Sequence, residues 1–331
     1  MRLRTGTVTI ASTQRGLALI TAMLVVALAT LLAVNIFDRH YVFVQRTASV
    51  INGDQAWAYA EGAELQTRGL LRRDQAGSDR DTLLESWARP QPPLEIDGGT
   101  MEIRIEDLQG RFNLNNLVSG DRPVDVQIAY FQRLLRLLDL SPELVWPIVD
   151  WLDTNMQPVP LGAEDGDYLR LEPAYRTANR RFVSADELLL VRGMDRESYR
   201  RLAPFVTALP ESTQLNVNTA KPINLRALRE GLDEGWAQSV MAQQAADGFA
   251  TVTDFLQLMG ERPGPDQGEA TTADLLGVRS QFFRMQAKVV LGESRLSMVS
   301  VLRRESDRVE LIGRQREVFD DSTSVFTLAG K

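Results

Sequence analysis

The chain has 331 residues, 44% hydrophobic and 24% charged, with a net charge of −7 and a pI near 5.1. That is globular composition for about two domains; it excludes bulk disorder and makes a phosphate backbone a poor default partner. There is no cysteine, which removes disulfides, thiolate metal sites and a cysteine nucleophile together.

Residues 17–37, LALITAMLVVALATLLAVNIF, carry no charge. At about twenty residues the run is long enough to cross a hydrocarbon core as a helix. Arg2, Arg4 and Arg15 precede it without an acid, so the positive-inside rule keeps the N-terminus cytoplasmic and exports everything after Asp38. A cleavable signal peptide would have an apolar core of about 7–15 residues closed by a small-x-small site, and neither fits. His40, the single histidine, lies just past the run and reads as an interfacial residue, without the partners that catalysis or metal binding needs. Apolar or small residues at Ala48, Ile51, Ala56, Tyr59, Ala63 and Leu70 keep helical spacing, so one helix is expected from Leu17 to Arg73, about 85 Å long. A kink at Asn52-Gly53 is the alternative.

The stretch 72–93, with RRDQAGSDRD and RPQPP, reads as a linker. Alternation at Ile96, Met101, Ile103 and Ile105 around Gly98-Gly99 predicts a hairpin over 94–107, and further alternation predicts strands at 279–290, 296–303 and 309–314. Between them helical spacing recurs at 126–138, 142–152, 184–192, 198–208, 222–230, 237–246 and 253–259, with caps at Ser141-Pro142, Ser184 and Thr253. An antiparallel sheet interrupted by a helical block is an α+β arrangement. The chain therefore divides into 1–16 ahead of the span, the span 17–37, a helical continuation 38–73, a first part of the sheet 94–120, a helical insertion 121–275, returning strands 279–318 and a tail 319–331.

No catalytic constellation stands out, since one histidine, three lysines and no cysteine leave little from which to build a triad. Carboxylate pairs keep a membrane-anchored hydrolase open as an alternative. The densest acidic stretch, DWLDTNMQPVPLGAEDGDY, offers Asp150, Asp153, Asn155, Glu164, Asp165 and Asp167 as hard oxygen ligands on a bent loop. It is not an EF-hand, because Pro158 stands where that loop needs glycine. A solvated acidic loop is the plain reading of the residues alone. The stretch LNVNTAKPINLRAL is similar to the opening of a helix-hairpin-helix repeat, which keeps a membrane-tethered DNA-binding receptor as a second alternative. The expected turn is missing from REGLDEGWA, where Glu230, Asp233 and Glu234 would repel phosphate, so no nucleic-acid partner is expected.

Arg15-Gly16 followed by an apolar helix resembles the processing site of type IV prepilins. There an inner-membrane prepilin peptidase cuts after the glycine and the new N-terminus is methylated, so the resemblance implies Gly16 as the cleavage residue and Leu17 as mature residue one. Such proteins usually carry Glu at mature position five, whereas this chain has Thr21. The segments DQAWAYAEGAE, DLQGRFNLNNL, VDWLDTN, GAEDGDY, YRTANRRF, ELLLVRGM and LNVNTA, in that order, are similar to the general secretion pathway protein K family, the large minor pseudopilin of type II secretion. The resemblance implies a pilin-like fold, a long N-terminal helix plus antiparallel sheet, with a large α-helical domain inserted in the sheet. It also implies structural Ca²⁺ at the acidic loop, and a non-enzymatic protein anchored in the inner membrane with its soluble domains in the periplasm. Its partners would be other minor pseudopilins in a tip complex. Thr21 implies the fibre position: a subunit without that carboxylate cannot neutralise the amine of a later subunit in the bilayer, so it caps the tip.

Overall fold

The computed structural model describes the backbone of residues 13–260 and 272–319; residues 320–331 of the expected tail and 1–12 of the expected leader lie outside the described residues. Helix α1 (Thr13–Gly77) is continuous, with no break at Asn52-Gly53. Its C-terminal half buries a stripe of small side chains, Ala56, Ala60, Ala63, Thr67 and then Leu71, at steps of three or four. Small residues let the helix axis approach the sheet closely. The expected stripe is turned, because Ala48 and Ile51 stand exposed where the sheet has barely begun.

The sheet has five antiparallel strands in chain order: β1 (Leu94–Ile96), β2 (Gly99–Asp107), β3 (Phe282–Leu291), β4 (Ser294–Arg304) and β5 (Val309–Glu317). Gly98, at φ 81°, makes the β1–β2 turn, a conformation a side chain would resist. One sheet face packs Met101, Phe283, Met285, Val289, Leu296, Met298 and Leu302 on α1. Residues 78–93 are not a loose linker as their charges and prolines suggested. Trp87 packs edge-on against Phe283 at 5.2 Å and Asp81 is buried, since its charge is met inside the protein rather than by water.

Between β2 and β3 the chain builds the helical insertion, and it leaves the sheet earlier than expected. β2 ends at Asp107, while Phe112, Leu114, Leu117 and Val118 already belong to the helical core rather than to the sheet. The helices are α2 (Asp125–Leu137), α3 (Val145–Leu152), α4 (Asp165–Tyr168), α5 (Arg196–Leu202), α6 (Pro222–Arg226), α7 (Glu234–Ala246) and α8 (Val252–Met259). The helix expected over 198–208 stops at Leu202, and after a turn containing Pro204 the chain becomes the strand Val206–Thr207. Ser141 and Ser184 cap as expected, both opening 3-10 turns, but α8 is capped by Thr251 rather than Thr253.

The insertion has two halves on one template. In the first, Phe112–Asn113 pairs in parallel with Val206–Thr207; in the second, Leu215–Asn216 pairs in parallel with Leu276–Gly277. The Asn113 carboxamide accepts from the Asn115 amide, and the Asn216 carboxamide accepts from the Asn218 amide. Asn115 then bonds both backbone groups of Phe182, and Asn218 both backbone groups of Phe249. Two residues beyond each phenylalanine comes a capping box, Ser184 with Glu187 and Thr251 with Asp254.

Candidate functional site

The anchor end comes first. α1 contains an 18-residue window of mean hydropathy 2.5 with none of it buried, the one described helix long and apolar enough to cross a membrane. Gly16 and Leu17 lie within α1, ahead of the residues whose side chains are described. Thr21 is exposed on the same helix.

At the opposite end of α1 the insertion is fastened to the sheet by buried charge. Arg304 on β4 donates to Asp81 at 2.6 Å and to Asp74 of α1 at 3.1 Å. Asp81 also accepts from the Ser280 amide at 2.7 Å. Asp107, at the end of β2, accepts from Ser280 Oγ at 2.6 Å, Asn216 Nδ2 at 3.0 Å, Thr219 Oγ1 and the Gln109 amide at 2.8 Å. One carboxylate thus holds the departing chain, the returning chain and the second half of the insertion. Burial lifts the Asp107 carboxyl from 3.8 to about 6 despite those donors. Asp74, Asp81 and Glu85 are, among the described residues, the acidic trio whose oxygens all lie within 4.8 Å of one another. A metal is not needed there, because Arg304 supplies the positive charge and Glu85 accepts from the Thr82 amide and Trp87 Nε1.

The acidic loop shows a different electrostatic arrangement. Asp150 sits in the last turn of α3, Asp153 ends that helix and Glu164 opens α4, so two helix termini bring the three carboxyls toward one interior. All three are buried. Asp150 Oδ1 accepts from the Val159 amide at 3.1 Å and Glu164 Oε2 from Thr177 at 3.0 Å. Asp150 Oδ2, Asp153 Oδ1 and Glu164 Oε1 are buried with no donor, and so is Asn179 Oδ1. Burial first, then the charge of Asp150, pushes Asp153 from 3.8 to about 6; burial first, with Asp150 and Asp153 adding, raises Glu164, and burial raises Asp150. Gly162 permits this packing, since a Cβ there would lie 1.9 Å from Asp150 Oδ2 and the carboxylate would have to move.

The other three expected ligands are engaged differently. Asp165 accepts from Arg176 at 3.2 Å and the Thr177 amide at 3.0 Å, and Asp167 accepts from Arg192 at 3.0 Å and the Glu164 amide at 3.3 Å. Asn155 Oδ1 accepts from the Gln157 amide at 2.8 Å. Buried carboxylate oxygens that lack donors are costly, and a hard oxygen-only set suits a divalent cation such as Ca²⁺. The donor types are those such an ion takes, but the three carboxyls are not gathered as closely as Asp74, Asp81 and Glu85, and an ion would have to draw them together. Asn179, whose Nδ2 donates to the Asn155 carbonyl at 3.4 Å, joins them from outside the acidic stretch. No local motif marked Asn179, which reaches the loop only through the fold, at φ 44°.

The hairpin-like stretch does not form a phosphate site. Asp233 caps the N-terminus of α7 through the Trp236 amide, and Glu234 pairs with Arg226 at 2.9 Å, so acids occupy the end where a phosphate would sit.

Sequence models described as type II secretion system (T2SS), protein K match residues 110–211 and 215–279, dividing the chain where the two halves of the insertion meet. The type II secretion system protein K of Pseudomonas aeruginosa is 39% identical over 306 residues, covering 89% of this chain and 90% of that one. That of Klebsiella pneumoniae is 33% identical over 322 residues, covering 92% and 97%. Among solved structures, a chain in the crystal structure of the GspK-GspI-GspJ complex of the enterotoxigenic Escherichia coli type 2 secretion system superposes with a TM-score of 0.71 at 24% identity, covering 83% of this chain and 100% of that one. A pilin-like sheet interrupted by a two-part helical domain, carried on an apolar anchor helix and matched along nine-tenths of its length, places this chain in the type II secretion system protein K family.

Proposed function

We propose that this minor pseudopilin is the terminal subunit of a short secretion pseudopilus and helps start its assembly, with its apolar helix in the inner membrane and its soluble domains in the periplasm. The observation that carries this reading is the seat of the insertion. The Gly292 turn of the sheet meets α1 near Asn52, whereas the insertion joins the sheet beside Asp74 and Asp81, about 33 Å further along the helix. A domain at the membrane-distal end obstructs a subunit stacked above it. Thr21 supports the same position, since it offers no carboxylate to a later subunit's amine. The role is structural rather than enzymatic, which family membership supports. By analogy with the solved complex, its partners are the two pseudopilins corresponding to GspI and GspJ.

Two further elements belong to this reading. A prepilin peptidase cuts after Gly16, so Gly16→Glu blocks maturation and the intact mass of the processed chain begins at Leu17. Ca²⁺ binds the loop of the first half through Asp150, Asp153 and Glu164 with Asn179, framed by Asn155, Asp165 and Asp167, and supplies the positive charge that the buried oxygens lack. The deciding experiment is co-purification of the full chain with the two partner pseudopilins. A complex with one copy of this chain is expected; long fibres of this chain alone would overturn the tip assignment.

A further inference from the structure

Between the apolar run and the globular domain, α1 is bare. Every residue from 19 to 51 is exposed, and the described hydrogen bond between α1 and the sheet nearest the membrane is Ser294 Oγ to the Ser49 carbonyl, at 3.4 Å. Phe37 to Ser49 is about 18 Å of helix. One headgroup layer of a bilayer is about 5–8 Å thick, so it fits beneath the sheet with room to spare.

The composition of that bare stretch is unlike a helix designed for water. FDRHYVFVQR, residues 37–46, exposes Phe37 at 73%, Tyr41 at 66% and Phe43 at 66%. Arg39, His40 and Arg46 accompany them, with Asp38 as the sole acid. At helical spacing Arg39, Phe43 and Arg46 share one face, while Phe37, Tyr41 and Val44 share the opposite one. Aromatic rings with polar edges settle at the boundary of hydrocarbon and water, and arginines there reach phosphate while their stems stay in apolar surroundings. If the leader is removed, Arg2, Arg4 and Arg15 go with it, and Arg39 and Arg46, both just past the span, become the arginines nearest to it.

We propose that residues 37–46 form a collar that binds the phospholipid headgroups of the periplasmic leaflet. Phe37 and Tyr41 lie at the carbonyl level, Arg39 and Arg46 engage phosphates, and the collar sets the depth at which the helix is held before it enters the pseudopilus. The occupant is lipid because the stretch continues directly from the apolar span and its cations complement phosphate. This rests on the reading that 17–37 crosses the membrane with the later residues outside.

The chain contains no cysteine, so single labels can be placed in the full protein without removing any. Spin labels at Leu28→Cys, Val42→Cys and Val50→Cys would be measured in vesicles of phosphatidylethanolamine and phosphatidylglycerol. The readouts are accessibility to a water-soluble nickel chelate and relaxation of lipid phosphorus. Expected are a lipid-buried label at position 28, strong phosphorus relaxation with little nickel access at 42, and an aqueous label at 50. Arg39→Gln with Arg46→Gln should lower the phosphorus relaxation at 42 about two-fold or more, since each basic residue contributes to attraction at an anionic surface. A label at 42 as accessible as that at 50, with 28 still in lipid, would overturn the collar and leave the anchor intact. Protection of 42 that appears only when partner pseudopilins are added would also overturn it. An aqueous label at 28 would overturn the membrane reading and the collar with it.

Discussion

In the half spanning 110–211, Asn115 ties the backbone of Phe182 and Ser184 opens the next helical turn; in the half spanning 215–279, Asn218 ties Phe249 and Thr251 opens α8. From this shared start they diverge in how buried charge is handled. The second half is joined to the sheet, with Asn216 and Thr219 donating to Asp107, and Asp107's acceptor capacity is met by protein donors. The first half carries the long loop between α3 and α4 and leaves Asp150, Asp153 and Glu164 each with an oxygen lacking a donor. One template thus serves attachment in one copy and a buried, acid-lined interior in the other. Complete satisfaction stabilises a position, while incomplete satisfaction invites a cation.

The comparison breaks first if the asparagines are not equivalent. Asn115→Ala removes bonds to the Phe182 amide and carbonyl and to the Leu209 carbonyl. Leaving such groups buried costs about 1–3 kcal/mol each, so a loss of about 3–5 kcal/mol is expected in urea denaturation of the detergent-solubilised chain. Asn218→Ala strands the two Phe249 groups and should cost about 2–4 kcal/mol. A negligible effect at Asn218 would show that the template carries weight in one half only.

Calcium should separate the halves next. If the loop binds the ion, chelation removes about 2.7 kcal/mol at a hundredfold excess over Kd, and the melting temperature falls by about 5–10 °C. The pH response sharpens this. Asp153 titrates at about 6 in the fold and at 3.8 when unfolded, so the apo chain takes up a proton more readily when folded, and its stability rises as pH falls from 7 toward 4. Asp107, at the end of β2 where the second half attaches, gives the same sign. With calcium present the Asp153 share should vanish, because the cation holds the carboxylate ionised and protons then compete with binding. Asp153→Asn should remove that share and reduce the slope of the apo profile, leaving the shares of Asp107 and Asp74 in place. No difference between calcium and chelator would leave the loop as an acidic interior without an ion.

A narrower contrast lies within the loop. Gly162→Ala drives a methyl into Asp150 and should cost about 1–3 kcal/mol while weakening the calcium response. Gly166→Ala, with nothing within 4 Å, should stay within about 0.5 kcal/mol. The last contrast is expected to be a symmetrical one. Ser184→Ala and Thr251→Ala each remove one cap and should each cost about 1 kcal/mol. Unequal losses would mean that the two boxes sit in differently supported turns.

Much of this architecture follows from local pattern alone. An uncharged run of membrane length, alternation at Ile103 and Ile105, and the caps at Ser141 and Ser184 are readable because helix and strand periods act over a few residues. So were Asp150, Asp153 and Glu164 as a neighbourhood, since they lie on one short stretch. Other features have no local signature. The stretch 72–93 read as a linker, yet within it Asp81 finds Arg304 more than two hundred residues away. The N-x-N motifs FNLNNL and LNVNTA are visible as text, but their equivalence rests on Phe182 and Phe249, which meet them only after folding. Asn179 faces the acidic loop for the same reason. Sequence by itself determined the anchor, the sheet and helix periods and the family. Only tertiary structure decided which buried charges are paired, because a charge's cost depends on the donors and cations that distant segments bring to it.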